Sequence, residues 1–466
     1  MKFFLLIAIL LVNSCAHKVN IEDEVRVQKD QLSYVLYDLD KEEVKESFNP
    51  NKLLIPASIF KLFTAYAILD SFVYDKKFAT KIYHTGQIEQ GVLYGDLIIV
   101  GGGDPNLQYK DLYNISALIR GKNINKIKGD LYYYEDNFLQ QKSINKQQPD
   151  AKYNPGFSGL LLSNNHFLLK KNNKNEITLI PDLDYMKFET SDDLSYSQYL
   201  NNNNWLLGKY NKYYLPIKNS SYFTTNNFYK ILKYNGIEVR WGGKVEQLPK
   251  SKLLLTYNSE ELIDIVHNNL LYSNNLTSEV LLLHFAKQQS CSHNNLSEAT
   301  KCLNSWYKKK FPNQEWQGLF WENASGLSVK TKITTLHILL ILKEMYHTQH
   351  GSNNMVSLLP IAGISGTLAQ KFHDNSLQIW AKTGNMNFVS GLAGFLFKDN
   401  SRYAFVILAN DQTHRDKLDY LSKIGSSKPY DLLLKEARLW KESVYKMQQE
   451  IIEKWLIEDN LHLSTE

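Results

Sequence analysis

Three short groups of residues in this chain could do chemistry together: Ser58-Ile59-Phe60-Lys61, Ser273-Asn274-Asn275 and Lys382-Thr383-Gly384. Ser58 and Lys61 stand at i, i+3, which on a helix puts the hydroxyl and the amine on one face. Lys61 is also the only charged residue between Leu54 and Leu69, within "PASIFKLFTAYAIL". A helix that is apolar all round is buried. Its single ammonium group then has a depressed pKa and could take the Ser58 proton near neutral pH. Ser273 could relay a proton to a leaving amine, and Asn275 could hold Lys61 or a substrate amide. Lys382 would supply positive charge, and Thr383 a hydroxyl, for the terminal carboxylate of a peptide. Gly384 would let the peptide backbone come close to a strand edge. The backbone N–H groups of Ser58 and Asn385 are the expected oxyanion hole. Each group alone has a plain structural reading: a buried hydroxyl with a snorkelling amine, a helix cap, a strand end with a turn. Their order and setting on a helix, a turn and a strand make the set specific.

The elements that must position these residues can be read from the patterning. "QLSYVLYDLD" from Gln31 alternates like a strand, and "KEEVKESFNPNK" reads as a turn, a second short strand and a loop into the helix that starts at Pro56. From Lys81 the chain is strand-like and Gly-punctuated, and from about Ile124 to Leu248 short apolar runs alternate with Asn- and Lys-rich turns. Helical periodicity returns from Ser259 and again from Thr334. Strand patterns resume in "LQIWAKTG", "VSGLAGFLF" and "RYAFVILAN", and an amphipathic helix around "YDLLLKEARLWKESVYKMQQEIIEKWL" ends the chain. Strands and a terminal helix therefore bracket a helical region and a β-rich insert. The expectation is an α/β (α+β) sheet domain closed by both ends of the chain.

The chain resembles the penicillin-binding protein 4 type of D-alanyl-D-alanine carboxypeptidase and endopeptidase. The resemblance rests on the three groups above and on "LLIPASIFKLFTA", "GDLIIVGGGDPNL", "SNNLTSEVLL", "SGLS" at 325–328, "LPIAGISGTL" at 359–368 and "AKTGNMNFVSGLAG". It spans nearly everything from Gln31 to Asp411. It implies a β-lactamase/transpeptidase-like domain, with an antiparallel sheet and a helical cluster, carrying a large β-rich insertion. The implied division is a leader at 1–15, that domain's first part at 16–80, the insertion at 81–255, and the second part at 256–466. It also implies a Ser58 acyl-enzyme, hydrolysis at D-alanine in peptidoglycan stem peptides, and covalent capture by β-lactams. Ser58 and Ser273 are 215 residues apart, far more than a compact β-lactamase needs. A β-lactamase and a catalytically weak peptidoglycan-binding lipoprotein are the other two readings. Against the family pattern, Asn323-Ala324 stand for Asp-Gly, Ser365 for Asp, and Asn385-Met386 for Thr-Leu; none removes a catalytic side chain.

Composition narrows the rest. Of 466 residues 22% are charged, and the net charge of +5 comes from dispersed basic residues, without the stripe that binds nucleic acid. The N-terminus, "MKFFLLIAILLVNSC", has one lysine and an apolar run from Phe3 to Val12, too short to span a bilayer as a helix and readable as a signal peptide. Val12-Asn13-Ser14-Cys15 is similar to a bacterial lipobox, with Cys15 as the lipidated residue; cleavage after Ala16 would instead release a soluble protein. Export to the periplasm is expected, with membrane contact only through that lipid. Cys291 and Cys302 then remain as an even pair in an oxidising compartment, either bonded or as separate thiols. "CSH" at 291–293 has no second ligand pair at metal-binding spacing, so neither metal nor other cofactor is expected. "GGGDPN" lacks the end of a phosphate loop. His284, in "LLLHFAK", reads as a hydrogen-bonded core histidine.

Overall fold

The alternating segment near the N-terminus forms the strand Leu32–Asp38, and its partner Glu43–Phe48 is the exposed edge of a five-stranded antiparallel sheet. On its other side Leu32–Asp38 pairs with Ser401–Asn410, which pairs with Val389–Lys398, which pairs with Ile379–Met386. Leu36 faces Phe405 across strands that lie far apart in sequence, so both ends of the chain build one sheet. In the computed structural model of the protein the described residues are 27–458, except 136, 137, 173, 175, 192, 193, 195, 196, 317, 351, 352 and 424–426. Cys15 and the apolar leader lie outside them.

Nine helices occur among the described residues: α1 (Lys61–Ser71), α2 (Tyr109–Gly121), α3 (Ser220–Tyr234), α4 (Leu262–Tyr272), α5 (Asn275–Gln288), α6 (Leu296–Lys310), α7 (Thr335–His347), α8 (Gln412–Lys423) and α9 (Ser427–Glu458). Every residue of α1 from Lys61 to Leu69 is buried, as its uniformly apolar sequence requires. It sits in a cluster with α4, α5, α6 and α7 on one face of the five-stranded sheet. On another face, Ile452 and Trp455 of α9 pack against Phe405 and Ile407. None of the described helices is long and apolar enough to cross a membrane.

Between Phe78 and Ser259 the chain builds a seven-stranded sheet, whose first strand in sequence, Ala79–His84, pairs with the last, Lys252–Asn258. Two three-stranded sheets from the 166–216 stretch accompany it. This part has its own core, from Ile82 to Val239, centred on residues such as Trp205, Phe223 and Phe228.

Three details differ from the sequence expectations. The helix expected to start at Pro56 begins as a 3-10 turn, Ala57–Phe60, and becomes α-helical only at Lys61. Ala57 has φ 46°, a left-handed backbone that an α-helical start cannot contain. Lys382-Thr383-Gly384 lies inside the strand Ile379–Met386 rather than at its end, paired with Ala393, Leu392 and Gly391. The β-rich stretch also contains α2 and α3. The α3 sequence, rich in Ser, Thr, Asn and aromatic residues, has weak helix propensity. It forms because Asn219 caps it, accepting from the Tyr222 N–H, and because Phe223, Phe228 and Leu232 enter the second core.

Candidate active site

The 3-10 turn carries Ser58 onto a surface where three parts of the chain meet. Lys61, at the first position of α1, is fully buried. Its Nζ lies 2.9 Å from Ser58 Oγ, 2.7 Å from Asn275 Oδ1 and 2.9 Å from the Ser325 carbonyl oxygen. Asn275 is the first residue of α5, and its Nδ2 donates to the Tyr153 carbonyl at 3.0 Å. Burial, and then the charge of Lys382, hold Lys61 well below the ordinary lysine range, with Glu279 opposing.

Ser273 ends α4 in the left-handed region, with φ 59° and ψ 43°. That turn aims its hydroxyl at Lys382, whose Nζ donates to Ser273 Oγ at 3.0 Å and to the Thr383 carbonyl at 2.8 Å. Lys382 is buried as well; burial and the cation of Lys371 push its pKa down to about 7. Thr383 Oγ1 donates to Thr367 Oγ1 at 2.9 Å. Gly384 lies against the turn that carries Ser58: a Cβ there would stand 2.5 Å from the Pro56 carbonyl oxygen and 3.0 Å from the Ile59 nitrogen. Asn385 is exposed and accepts from Ser390 Oγ at 3.2 Å.

The structure thus brings Ser58, Lys61, Ser273, Asn275 and Lys382 to one place, with Thr383, Gly384 and Asn385 along the adjoining strand. Two contributors were not assigned from the sequence. Glu279, one turn after Asn275 on α5, is fully buried and accepts from the N–H groups of Ala324 and Ser325 at 3.0 and 2.9 Å. Burial raises its pKa, against the pull of those hydrogen bonds and of Lys61. Thr64 Oγ1 donates to the Ala324 carbonyl at 2.7 Å. Segment 324–325 is therefore fixed from two helices, and it presents the Ser325 carbonyl to Lys61. Gly326, with φ 72°, follows, and any Cβ there would collide with the Ala57 carbonyl. The signal for Glu279 was present: one carboxylate in "LTSEVLLLHF" is as conspicuous as one ammonium in "SIFKLFTAYAIL".

The second contributor is the 145–155 segment, which closes one side of the cleft. Asn154 holds it together, with Nδ2 donating to the carbonyls of Asn145, Gln147 and Gln148. Buried Lys218 anchors it by an ion pair to Asp150 at 3.0 Å. The cleft, about 390 Å³, is lined by Ser58, Tyr153, Ser273, Asn275 and Asn385 among others. No described residue lining it is acidic, whereas Arg415, Arg438 and Lys441 are basic.

Away from the cleft, Cys291 and Cys302 form a disulfide between the end of α5 and α6, with Cα atoms 6.1 Å apart. His284 Nε2 lies 2.9 Å from the Gly103 carbonyl, and its ring stacks on Phe78.

A five-stranded antiparallel sheet against a helical cluster, with Ser58, Lys61, Ser273 and Lys382 converging beside its edge strand, defines a fold of the β-lactamase and transpeptidase type. Residues 17–426 match the model of the D-Ala-D-Ala carboxypeptidase 3 (S13) family, and the chain belongs to that family. The D-alanyl-D-alanine carboxypeptidase DacB of Haemophilus influenzae is 24% identical over 421 residues, covering 83% of this chain and 86% of that one. A D-alanyl-D-alanine carboxypeptidase of Actinomadura sp. is 24% identical over 409 residues, covering 77% and 73%. Among solved structures, penicillin-binding protein 4 from Haemophilus influenzae shares the fold with a TM-score of 0.71 at 21% identity, over 91% of this chain and 99% of that one. A predatory peptidoglycan endopeptidase from Bdellovibrio bacteriovorus gives 0.53 at 16% identity, over 87% and 92%.

Proposed function

We propose that this protein is a penicillin-binding serine DD-peptidase in which Ser58 attacks the carbonyl between two D-alanines, or at a D-centre cross-link, in peptidoglycan stem peptides. The observation that carries the reading is the set of neighbours around Lys61 Nζ. Asn275 Oδ1 and the Ser325 carbonyl can only accept hydrogen bonds. A neutral amine has two N–H donors and one lone pair. Donating to those two acceptors leaves the lone pair for the Ser58 hydroxyl, the third neighbour. The depressed pKa supports the neutral state that a base requires.

In this reading Lys61 takes the Ser58 proton as Oγ bonds to the carbonyl carbon. The oxyanion forms against the N–H groups of Ser58 and Asn385. The proton taken by Lys61 then returns through Ser273, which is hydrogen-bonded to Lys382, to the departing amine as the C–N bond breaks, leaving Lys61 neutral again; water later releases the acyl group. Lys382 and Thr383 bind the carboxylate of the leaving residue, and Gly384 keeps the strand close to the nucleophile. We read 16–80 and 256–466 as the catalytic domain, and 81–255 as an insertion that supplies the 145–155 wall. We further read residues 1–15 as an export signal with Cys15 as a lipid anchor, placing the enzyme in the periplasm.

A penicillin adduct that persists separates this reading from a β-lactamase, which must deacylate rapidly. The test is intact-protein mass spectrometry after incubation with benzylpenicillin, with the adduct mapped by peptide analysis. A persistent adduct on Ser58, absent from Ser58→Ala, is expected. Folded wild-type protein that takes no adduct would overturn the reading.

A further inference from the structure

We propose that Arg438 and Lys441 of α9 form an anion subsite in the cleft, selecting substrates whose leaving amine carries a carboxylate besides the one bound by Lys382 and Thr383. The inference rests on the peptidase reading and names the class of leaving group that the same cleft prefers.

Arg438 and Lys441 stand at i, i+3 on α9, so both belong to one stripe of that helix, and both line the cleft that contains Ser58. They are exposed, and neither has an ion pair or hydrogen bond with any described residue. The third cation of the lining is already engaged: Arg415 pairs with Asp419 and reaches the Asn387 carbonyl. The cleft therefore presents two uncompensated positive charges and no negative one, a charge pattern that an anionic ligand completes.

Position indicates which part of a substrate meets them. Lys441 also lines a recess of about 180 Å³ that contains Thr383, Asn385 and Lys371, so it lies beside the strand assigned to the leaving residue's carboxylate. Glu442, on the same recess, is the acidic group nearest in sequence. A terminal D-alanine has one carboxylate, which Lys382 and Thr383 would take, and it leaves Arg438 and Lys441 without a partner. A leaving amine that belongs to a second stem peptide brings further carboxylates.

The helix is fixed in place. Leu433, Ala437, Trp440 and Val444 are buried on its inner side, and Trp440 Nε1 donates to Gln31 Oε1 at 3.2 Å. α9 begins where the family match ends, at residue 426, so its part in the cleft rests on geometry alone.

The test uses peptides with one acyl part ending in D-Ala and with D-Glu or D-Gln as the leaving residue, which differ in charge and hardly in size. Release of the leaving residue is followed at low and at high salt. Wild type should favour D-Glu by roughly fivefold in kcat/KM at low salt, the range of two partly exposed charge contacts. Salt should reduce the ratio. In the Arg438→Ala/Lys441→Ala double variant the ratio should fall to about one, and in the Arg438→Glu/Lys441→Glu double variant it should invert, by loss and by reversal of charge respectively. Benzylpenicillin labelling is run on the same preparations. Wild type that takes the adduct yet treats D-Glu and D-Gln alike overturns the subsite alone, as does a double variant that keeps the preference. Wild type that takes no adduct and cleaves neither peptide overturns the peptidase reading and the subsite together.

Discussion

Lys61 and Lys382 are both fully buried, and the charge of Lys382 is one of the causes that depress the pKa of Lys61. The two amines need opposite protonation states in the proposed reaction. Lys61 must be neutral to accept a proton, and Lys382 must be charged to hold a carboxylate. Activity should therefore rise with pH as Lys61 loses its proton, then fall as pH passes about 7 and Lys382 loses its own. A pH profile of kcat/KM on a D-Ala-D-Ala peptide should be bell-shaped. Replacing Lys382 by Met removes the like charge, so the acid limb of penicillin acylation should move to higher pH.

Glu279 acts on Lys61 in the opposite sense, because its charge favours the ammonium form. Glu279→Gln should move the acid limb of acylation to lower pH. It also places an amide where the N–H groups of Ala324 and Ser325 need an acceptor. Breaking a buried charged hydrogen-bond pair of this kind costs about 3 kcal/mol. Thermal unfolding and the acylation pH profile, measured on one preparation, should show a lower Tm together with the shifted limb. A lower Tm without any shift would mean that Glu279 only braces the 324–325 segment.

Gly384→Ala tests how close the strand must lie to the turn that carries Ser58. The added methyl would meet the Pro56 carbonyl and the Ile59 nitrogen, and overpacking of this kind costs about 1 to 3 kcal/mol. The relief available is movement of Ile379–Met386 away from Ser58. Acylation by benzylpenicillin should then slow by about tenfold or more, since small misplacements of reacting groups are expensive. Stopped-flow or quenched mass spectrometry would measure it.

The Cys291–Cys302 disulfide closes a short loop, with a sequence separation of 11. Removing it with the Cys291→Ser/Cys302→Ser pair should lower stability by about 2 to 3 kcal/mol. The bond lies away from the cleft-lining residues, so the acylation rate of the folded variant should match that of wild type. Chemical denaturation and penicillin labelling separate the two effects.

His284 gives the fold an acid limit. Burial lowers its pKa to about 4 against an ordinary 6.5, so the unfolded chain binds this proton more readily than the folded one. Its contribution to stability is complete above about 6.5 and is lost as pH falls toward 4. His284→Gln should make Tm less dependent on pH in that window.

The main sheet was legible because Leu32–Asp38 starts with a two-residue alternation and Val389–Lys398 and Ser401–Asn410 are short, nearly unbroken apolar runs buried on both faces, and α1 because one lysine interrupts an apolar run. The side chains that converge on Lys61 could be named because short motifs carried them. The Ser325 carbonyl could not, since a backbone acceptor leaves no trace in residue type. α3 was hidden because its capping by Asn219 and its aromatic packing outweigh a composition that favours turns and strands. The 145–155 wall was hidden for a related reason: its amide hub at Asn154 reads in sequence as one more Asn in an Asn-rich loop.

The order of strands in the main sheet also sets when the enzyme comes into being. Leu32–Asp38 is translated early, yet its central neighbour, Ser401–Asn410, comes some 370 residues later. Ser58 and Lys61 are made near the start, Ser273 and Asn275 past the middle, and Lys382 near the end. Contacts of such long separation make folding slow and place it after most of the chain exists. A nascent or C-terminally truncated chain would carry Ser58 and Lys61 without the other residues of the proposed site, so on the proposed reading reactivity toward penicillin is a readout of complete synthesis and folding.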